Sequence, residues 1–585
     1  MKKTMIIALL TVGVGMQVPS VLAANKAVLL GIDGVQWEKV QALNTPNFDR
    51  LNINKAYTGG MKGYDNEQLT SSGPGWATIL TGVWVNKHNV DTNSAGLANA
   101  DFPSIFKRIY DANPILTQAS LVHWSPINTQ FFSNDIANVE RVESGISDAD
   151  VTSATISEIN KGTDFVFAHL DDPDHHGHST CFGSAYNKSI ITADQQLGEI
   201  LDAIEVAEKQ SGDNWLLMVT TDHGRDSLGC GHGAQKLNQK TIFIGSNELV
   251  NAELTEKLVG SNNDFSGLYG YAAQTSIVPT LLTHLGIKVE QEWKLDGPSL
   301  IGELGVRKLV ASTDGYLQWI NESDDDIRIY RNDILVDVLS AQNNSWQDNA
   351  NTRLGTVDYV LASNANPVAF RHNVMDVNAG LSWNLSRGYF FRSDTQYVRY
   401  NKVLDKAEDG YPRAVNESNW PGLGADRENL VASFHKDSDT AYFFTNDGQY
   451  LSYDLNTDSV RDGYPKAVDA TTWSGLEAYA DNIVATLRWK GNKVYFFLDD
   501  GSYLRYDLVN DSVDSGYPKP INDSTWPGLG AYAQQITAAI YWDDTRAYFF
   551  LDGQRYIRYS ITSDRVDSGY PKPTNDNTWP GLLGM

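Results

Sequence analysis

The sequence predicts a multidomain chain in which an α/β domain is followed by a small β-sandwich and an all-β four-bladed propeller. Up to residue 302, short apolar runs almost free of charge alternate with stretches of helical period. From 303 to 375 the helical period gives way to alternation of apolar and polar residues. From 376 to 585 one unit recurs every 53 residues, four times over. One core could not serve all 585 residues. The 46 basic and 72 acidic side chains leave a formal charge of -26, which repels nucleic-acid polymers and anionic membranes, so neither is expected as a partner.

The first residues read as an export signal. Lys2 and Lys3 form a basic start, Met5 to Val14 an apolar stretch, and Val21-Leu22-Ala23 a small-residue cleavage site, so 1–23 is expected to be removed. No other run is long and apolar enough to span a bilayer. The mature protein is expected to be exported, either periplasmic or secreted. Its two cysteines, Cys181 and Cys230, would pair in an oxidising compartment, a cross-link worth about 4 kcal/mol in the chain-entropy account.

Within 25–302, Ala27 to Ile32, Phe165 to Leu170, Trp215 to Thr221 and Thr241 to Gly245 read as strands buried on both faces. Between them, Tyr186 to Val206 has apolar residues three and four apart, as a helix does. The alternation predicts a largely parallel sheet, whose ligands gather at the carboxyl ends of the strands.

The chemistry-bearing residues lie at those ends. Six of the eleven histidines fall between 169 and 232, interleaved with aspartates. Asp33-Gly34 follows the first strand, Asp174-His175-His176-Gly177-His178 another, and Asp222-His223-Gly224 a third, with His232 nine residues beyond His223. Carboxylates and imidazoles converging on one crevice suit zinc or a similar divalent ion. Ser71-Ser72-Gly73-Pro74-Gly75-Trp76 leads into an apolar run that reads as a helix start, and a serine there faces the positive end of the helix. Metal coordination would turn such a hydroxyl into an alkoxide nucleophile.

These motifs resemble the alkaline phosphatase superfamily over 25–302, and most closely its nucleotide pyrophosphatase/phosphodiesterase branch. Ser72, Pro74 and Leu80-Thr81-Gly82 keep the spacing of the family's nucleophile segment. Pro173-Asp174-His175-His176-Gly177-His178 matches Pro-Asp-x-x-Gly-His, and Thr221-Asp222-His223-Gly224 matches Ser/Thr-Asp-His-Gly. Thr275 to Ile287 resembles the helix that closes the family's domain. The resemblance implies one metal held by Asp174, His178 and His232 and another by Asp33, Asp222 and His223, with Ser72 facing it. It implies attack by Ser72 on the phosphorus of a small phosphate ester or diester, through a phosphoseryl intermediate.

Sulfatases, a related branch, use Cys-x-Pro-x-Arg and paired N-terminal aspartates. Here Trp76 takes the arginine position and Asp33 stands alone, which disfavours sulfate esters. The phosphodiesterase resemblance places an asparagine three residues after the nucleophile, where this chain has Gly75. Arg225, just after Asp-His-Gly, could reach a phosphate oxygen and favour monoesters, or be a plain surface arginine. Diesters or pyrophosphates are the expected substrates, with a phosphomonoesterase as the alternative.

In 303–375, Trp319, Tyr330 and Tyr359 sit where a fibronectin type III-like module would have core aromatics. In 376–585, Tyr389-Phe390-Phe391, Tyr442-Phe443-Phe444, Tyr495-Phe496-Phe497 and Tyr548-Phe549-Phe550 mark successive units, as do Trp420, Trp473, Trp526 and Trp579. Four such units closed on one another remove their edges, which is a propeller. The unit resembles the hemopexin repeat. That implies a further cation, calcium or sodium, held by the backbone carbonyls of Ala379, Ala432, Ala485 and Ala538 in the central tunnel. It also implies a protein or polysaccharide ligand. A non-enzymatic alternative places the function there, as adhesion or matrix binding.

Overall fold

The computed structural model describes residues 23–258, 265–311, 316–348, 356–373, 375–575 and 577–583. The expected signal peptide lies outside them except for Ala23. The α/β domain is built on eight strands: β1 (Asn25–Ile32), β2 (Asn52–Tyr57), β3 (Gln118–Val122), β4 (Arg141–Ser144), β5 (Phe165–Leu170), β6 (Asn214–Thr220), β7 (Thr241–Ser246) and β8 (Ala272–Ala273). Their spatial order is β4-β3-β5-β1-β6-β7-β2-β8.

From β4 to β6 the neighbours are parallel, but β7 runs antiparallel to β6 and β2 antiparallel to β7. The sheet is therefore largely parallel, as expected, and mixed only through β7, since β2 again runs in the direction of β6 and β8 pairs parallel to β2. The central strands are apolar on both faces, and two separate cores cover them. One contains Trp76 and the helix Ile277–His284, the other the 28-residue helix Ser184–Ser211.

Seven strands follow: β9 (Val306–Ala311), β10 (Tyr316–Asn321), β11 (Ile327–Arg331), β12 (Ile334–Leu339), β13 (Ser345–Gln347), β14 (Thr356–Ala362) and β15 (Val368–Asn373). They form a three-stranded sheet, β13-β10-β9, and a four-stranded sheet, β12-β11-β14-β15. Their core holds Trp319 and Tyr359 as expected. Tyr330 is only half-buried, because Ile327 and Ile329 take the inward positions of its strand and side chains alternate with period two.

Four five-stranded antiparallel sheets complete the chain. Their inner strands, Val377–Ser382, Leu430–His435, Ile483–Arg488 and Ile536–Asp543, lie beside one another, the first also against the last. One apolar cluster joins Phe390 and Tyr400 of the first sheet to Phe550 and Trp579 of the fourth, which closes the four-bladed propeller. Ala379, Ala432, Ala485 and Ala538 are buried on the inner strands, each just after a bulge.

Candidate active site

Strand register builds the site. Ile32 of β1 lies opposite Leu170 of β5, and Gly31 opposite Thr220 of β6, so the segments leaving these three strands emerge side by side. The Asp33 N–H donates to the Leu170 carbonyl at 2.8 Å, which fixes its exit. The helix Asp172–Thr180 then begins with Pro173 in its first turn and carries Asp174 and His178 four residues apart on one face. Ser72 opens the helix Ser72–Thr81, which lies across the same edge with Ser71 as its cap residue.

The side chains converge. Ser72 Oγ is 3.5 Å from Asp33 Oδ1 and 3.5 Å from His223 Nε2. His223 Nε2 lies 3.3 Å from Asp222 Oδ2, and the Nε2 atoms of His178 and His232 face each other at 3.0 Å. Asp174, His178 and His232 could share one ion, and Asp33, Asp174 and His223 draw together beside it.

Lone pairs show that these residues fit a cation. His223 Nδ1 is 3.0 Å from the Gly224 carbonyl and His232 Nδ1 is 3.1 Å from the Thr70 carbonyl. A carbonyl oxygen only accepts, so each Nδ1 carries the proton. Burial pushes the His223 pKa down, and burial is the largest cause that takes His232 down to about 3. Both rings are then neutral, and their Nε2 lone pairs point at carboxylate oxygens or at another imidazole. A divalent ion turns that clash into coordination, and Nδ1 bonded to a carbonyl is how a ligating imidazole is oriented. Asp222 Oδ2 is buried without a hydrogen bond, the kind of orphaned atom that a metal satisfies.

The carboxylates divide. Burial and the charges of Asp33 and Asp174 raise Asp222 well above the usual carboxylate range. Burial and Asp174 also push Asp33 upward, but the hydrogen bond from His169 leads the opposing contributions and it ends low. Burial likewise opposes ionisation of Asp174, where the His178 hydrogen bond and the Arg225 charge win.

The two candidate substrate-binding positions, Arg225 and Gly75, pack against carboxylates of the site. Arg225 is wholly buried, and its guanidinium donates to Asp174, to the Gly229 carbonyl at 2.6 Å and to the Cys230 carbonyl at 3.3 Å. It braces Asp174 and does not reach outward; Gly177 makes room, since a side chain there would collide with the guanidinium. Gly75 packs against Asp222, and a Cβ there would sit 2.9 Å from Asp222 Cβ. An asparagine at 75 has no room. Asn93, which is exposed, accepts the Gly73 N–H on its Oδ1 at 2.8 Å and leaves its amide protons for other partners.

Two further residues escaped the sequence reading. Trp76 Nε1 donates to Asp33 Oδ2 at 2.8 Å, and His169 Nε2 lies 3.3 Å from the same oxygen. The sequence signal for Trp76 was its place one helical turn after Ser72. Cys181 and Cys230 are joined as expected, tying the end of the Asp174/His178 helix to the loop between His223 and His232.

Residues 31–237 match the model of the Metalloenzyme superfamily, and 483–531 that of Hemopexin. The chain joins a metalloenzyme-superfamily domain to a hemopexin domain. Macrophage metalloelastase of Oryctolagus cuniculus is 30% identical over 160 residues, covering 27% of this chain and 31% of that protein. The chain thus spans about a third of the length of the curated relatives it matches first. None of the histidines of the metalloenzyme-superfamily domain or the hemopexin domain begins a His-Glu-x-x-His motif.

Among solved structures, the murine ectonucleotide pyrophosphatase/phosphodiesterase 5 is 19% identical, covers 34% of this chain and 57% of its own, and has a TM-score of 0.28. A 2-O GAG sulfatase is 11% identical, with 65% and 86% covered and a TM-score of 0.36.

Proposed function

We propose that residues 25–302 form an exported two-metal phosphoester hydrolase of the phosphodiesterase or nucleotide pyrophosphatase type, with Ser72 as nucleophile. The observation that carries this reading is Ser72 Oγ at 3.5 Å from both Asp33 Oδ1 and His223 Nε2, on the first turn of a helix and among converging lone pairs. Asp33, Ser72, Asp222 and His223 would hold one divalent ion and Asp174, His178 and His232 another; zinc suits both donor sets. When bound, such ions lower the hydroxyl pKa, offset phosphate charge and supply an activated water.

The chain's own residues do the rest. Ser72 Oγ forms a bond to phosphorus as the bond to the leaving alkoxide breaks in line, and the serine proton passes to solvent. The helix N-terminus favours the gathering negative charge, and the Asn93 amide donates to a non-bridging oxygen. Water then attacks from the side of His178 and His232, and the Ser72–phosphorus bond breaks. Diester preference is supported by Arg225, whose guanidinium is committed to Asp174 and two carbonyls. Export is supported by the disulfide and the N-terminal sequence, and among the described residues no helix is long and apolar enough to cross a membrane. The propeller would bind or target, with a protein or polysaccharide ligand and a tunnel cation on the four alanine carbonyls.

Zinc-loaded protein should turn over bis-p-nitrophenyl phosphate faster than p-nitrophenyl phosphate, and Ser72→Ala should lower the rate at least about a thousandfold. A monoester preference would refute the diester assignment. Undiminished turnover by Ser72→Ala would refute the nucleophile.

A further inference from the structure

We propose that the cavity between the α/β domain and the β-sandwich is a second binding site, for a small neutral aromatic molecule that donates and accepts hydrogen bonds. Its volume is about 250 Å³. Folded interiors leave few voids larger than a water molecule, and an apolar cavity of about 150 Å³ already holds a benzene ring.

The walls are aromatic from both sides. Tyr57 and Trp84 stack with ring centroids 5.9 Å apart, Tyr269 meets Tyr57 edge-on at 5.1 Å, and Trp319 and Phe370 face them from the sandwich.

Three polar atoms on lining residues have no partner among the described residues: Ser276 Oγ, Trp319 Nε1 and Asn86 Oδ1. Ser276 is fully buried and Trp319 is 4% exposed. Together they offer a hydroxyl, a donor and an acceptor, and leaving them unpaired costs stability.

Neutrality of the occupant follows from the charges. Lys308 pairs with Glu253 at 2.8 Å, Asp296 with Lys87, and Arg371 with Asp358 at 2.7 Å. None of these lining charges is left over for an anion, which distinguishes the cavity from a phosphoester site.

The cavity is also held open. Lys308–Glu253 spans the two domains, Arg371 donates to the Asn86 carbonyl at 3.1 Å, and the Ala369 N–H donates to the Leu295 carbonyl at 2.7 Å. A preformed site loses little affinity to ordering.

The test is calorimetric titration of the whole mature protein with p-cresol, and with 4-methylbenzoate as the charged control. Wild type should bind p-cresol at one saturable site with a Kd below about 1 mM. Trp319→Phe, which keeps the ring and loses the N–H, should weaken binding about fivefold. Ala369→Phe should fill the cavity and abolish binding at a nearly unchanged melting temperature. No saturation with p-cresol, equal affinity for 4-methylbenzoate, or undiminished binding by folded Ala369→Phe would overturn the proposal. If Ala369→Phe does not fold, unchanged affinity of Trp319→Phe overturns it.

Discussion

His88 is sealed behind the helix Ser72–Thr81, its Nε2 3.0 Å from Thr78 Oγ1 and its Nδ1 accepting the Val90 N–H at 3.0 Å. Burial lowers its pKa to about 3, against 6.5 for the free side chain. The unfolded chain therefore takes up this proton first as pH falls. The stabilisation is fully present above pH 6.5 and is lost between 6.5 and 3, by about 1.4 kcal/mol per unit. Between pH 7 and pH 5, urea unfolding of wild type should lose about 2 kcal/mol more than that of His88→Gln; equal losses would mean that His88 is not held neutral.

At this scale the convergence of side chains was legible where they lie just beyond strand ends, as Asp33, Asp222 and His223 do, with Asp174 in the helix that follows β5. It was illegible where the partner is remote. Asn93 is 21 positions after Ser72 in the chain, and no local spacing signals that its Oδ1 binds Gly73. The packing of Gly75 and Arg225 was illegible for the converse reason. Their motif neighbours face the crevice, while these two pack on Asp222 and Asp174.

The disulfide shows what an element adds. Cys181 caps the helix that carries Asp174 and His178, and Cys230 sits on the loop that brings His232. Arg225 stitches the same two segments through Asp174 and the Gly229 and Cys230 carbonyls. Replacing both cysteines by serine should cost about 2–4 kcal/mol of stability. It should also weaken zinc at the Asp174, His178 and His232 set selectively, read as faster loss of one of two zincs to a chelator. Loss of both at wild-type rates would contradict this clamp. The cysteine pairing was foreseeable from the expected export and from there being two cysteines. The reversal of β7 was not, because Thr241–Ser246 is buried along its whole length and an all-buried run carries no mark of strand direction.

Across the molecule, repeat and pattern made the architecture readable, since a 53-residue period and a change from helical to alternating period survive any detail of packing. The joints between domains were not readable, being made of ion pairs far apart in sequence. Glu253 of the α/β domain meets Lys308 at 2.8 Å and Arg307 at 3.0 Å. The second is a charge contact with poor hydrogen-bond geometry, as neither atom finds a hydrogen-bond partner. All three side chains are largely buried, and among the described residues Glu253→Ala would leave Lys308 only the Tyr271 carbonyl and Arg307 only Glu322 at 3.2 Å, so it should cost about 3 kcal/mol. Thermal unfolding should then separate the α/β and β-sandwich transitions from one another; an unchanged melting curve would show that the joint holds by other means.

The most direct test of the central claim is to mix zinc-loaded protein with bis-p-nitrophenyl phosphate, quench in acid within a turnover, and map the peptides by mass spectrometry. A p-nitrophenyl phosphoryl group should appear on the peptide containing Ser72 and be absent from Ser72→Ala. Turnover with that peptide unmodified at every quench time, or with the group on another residue, would contradict it.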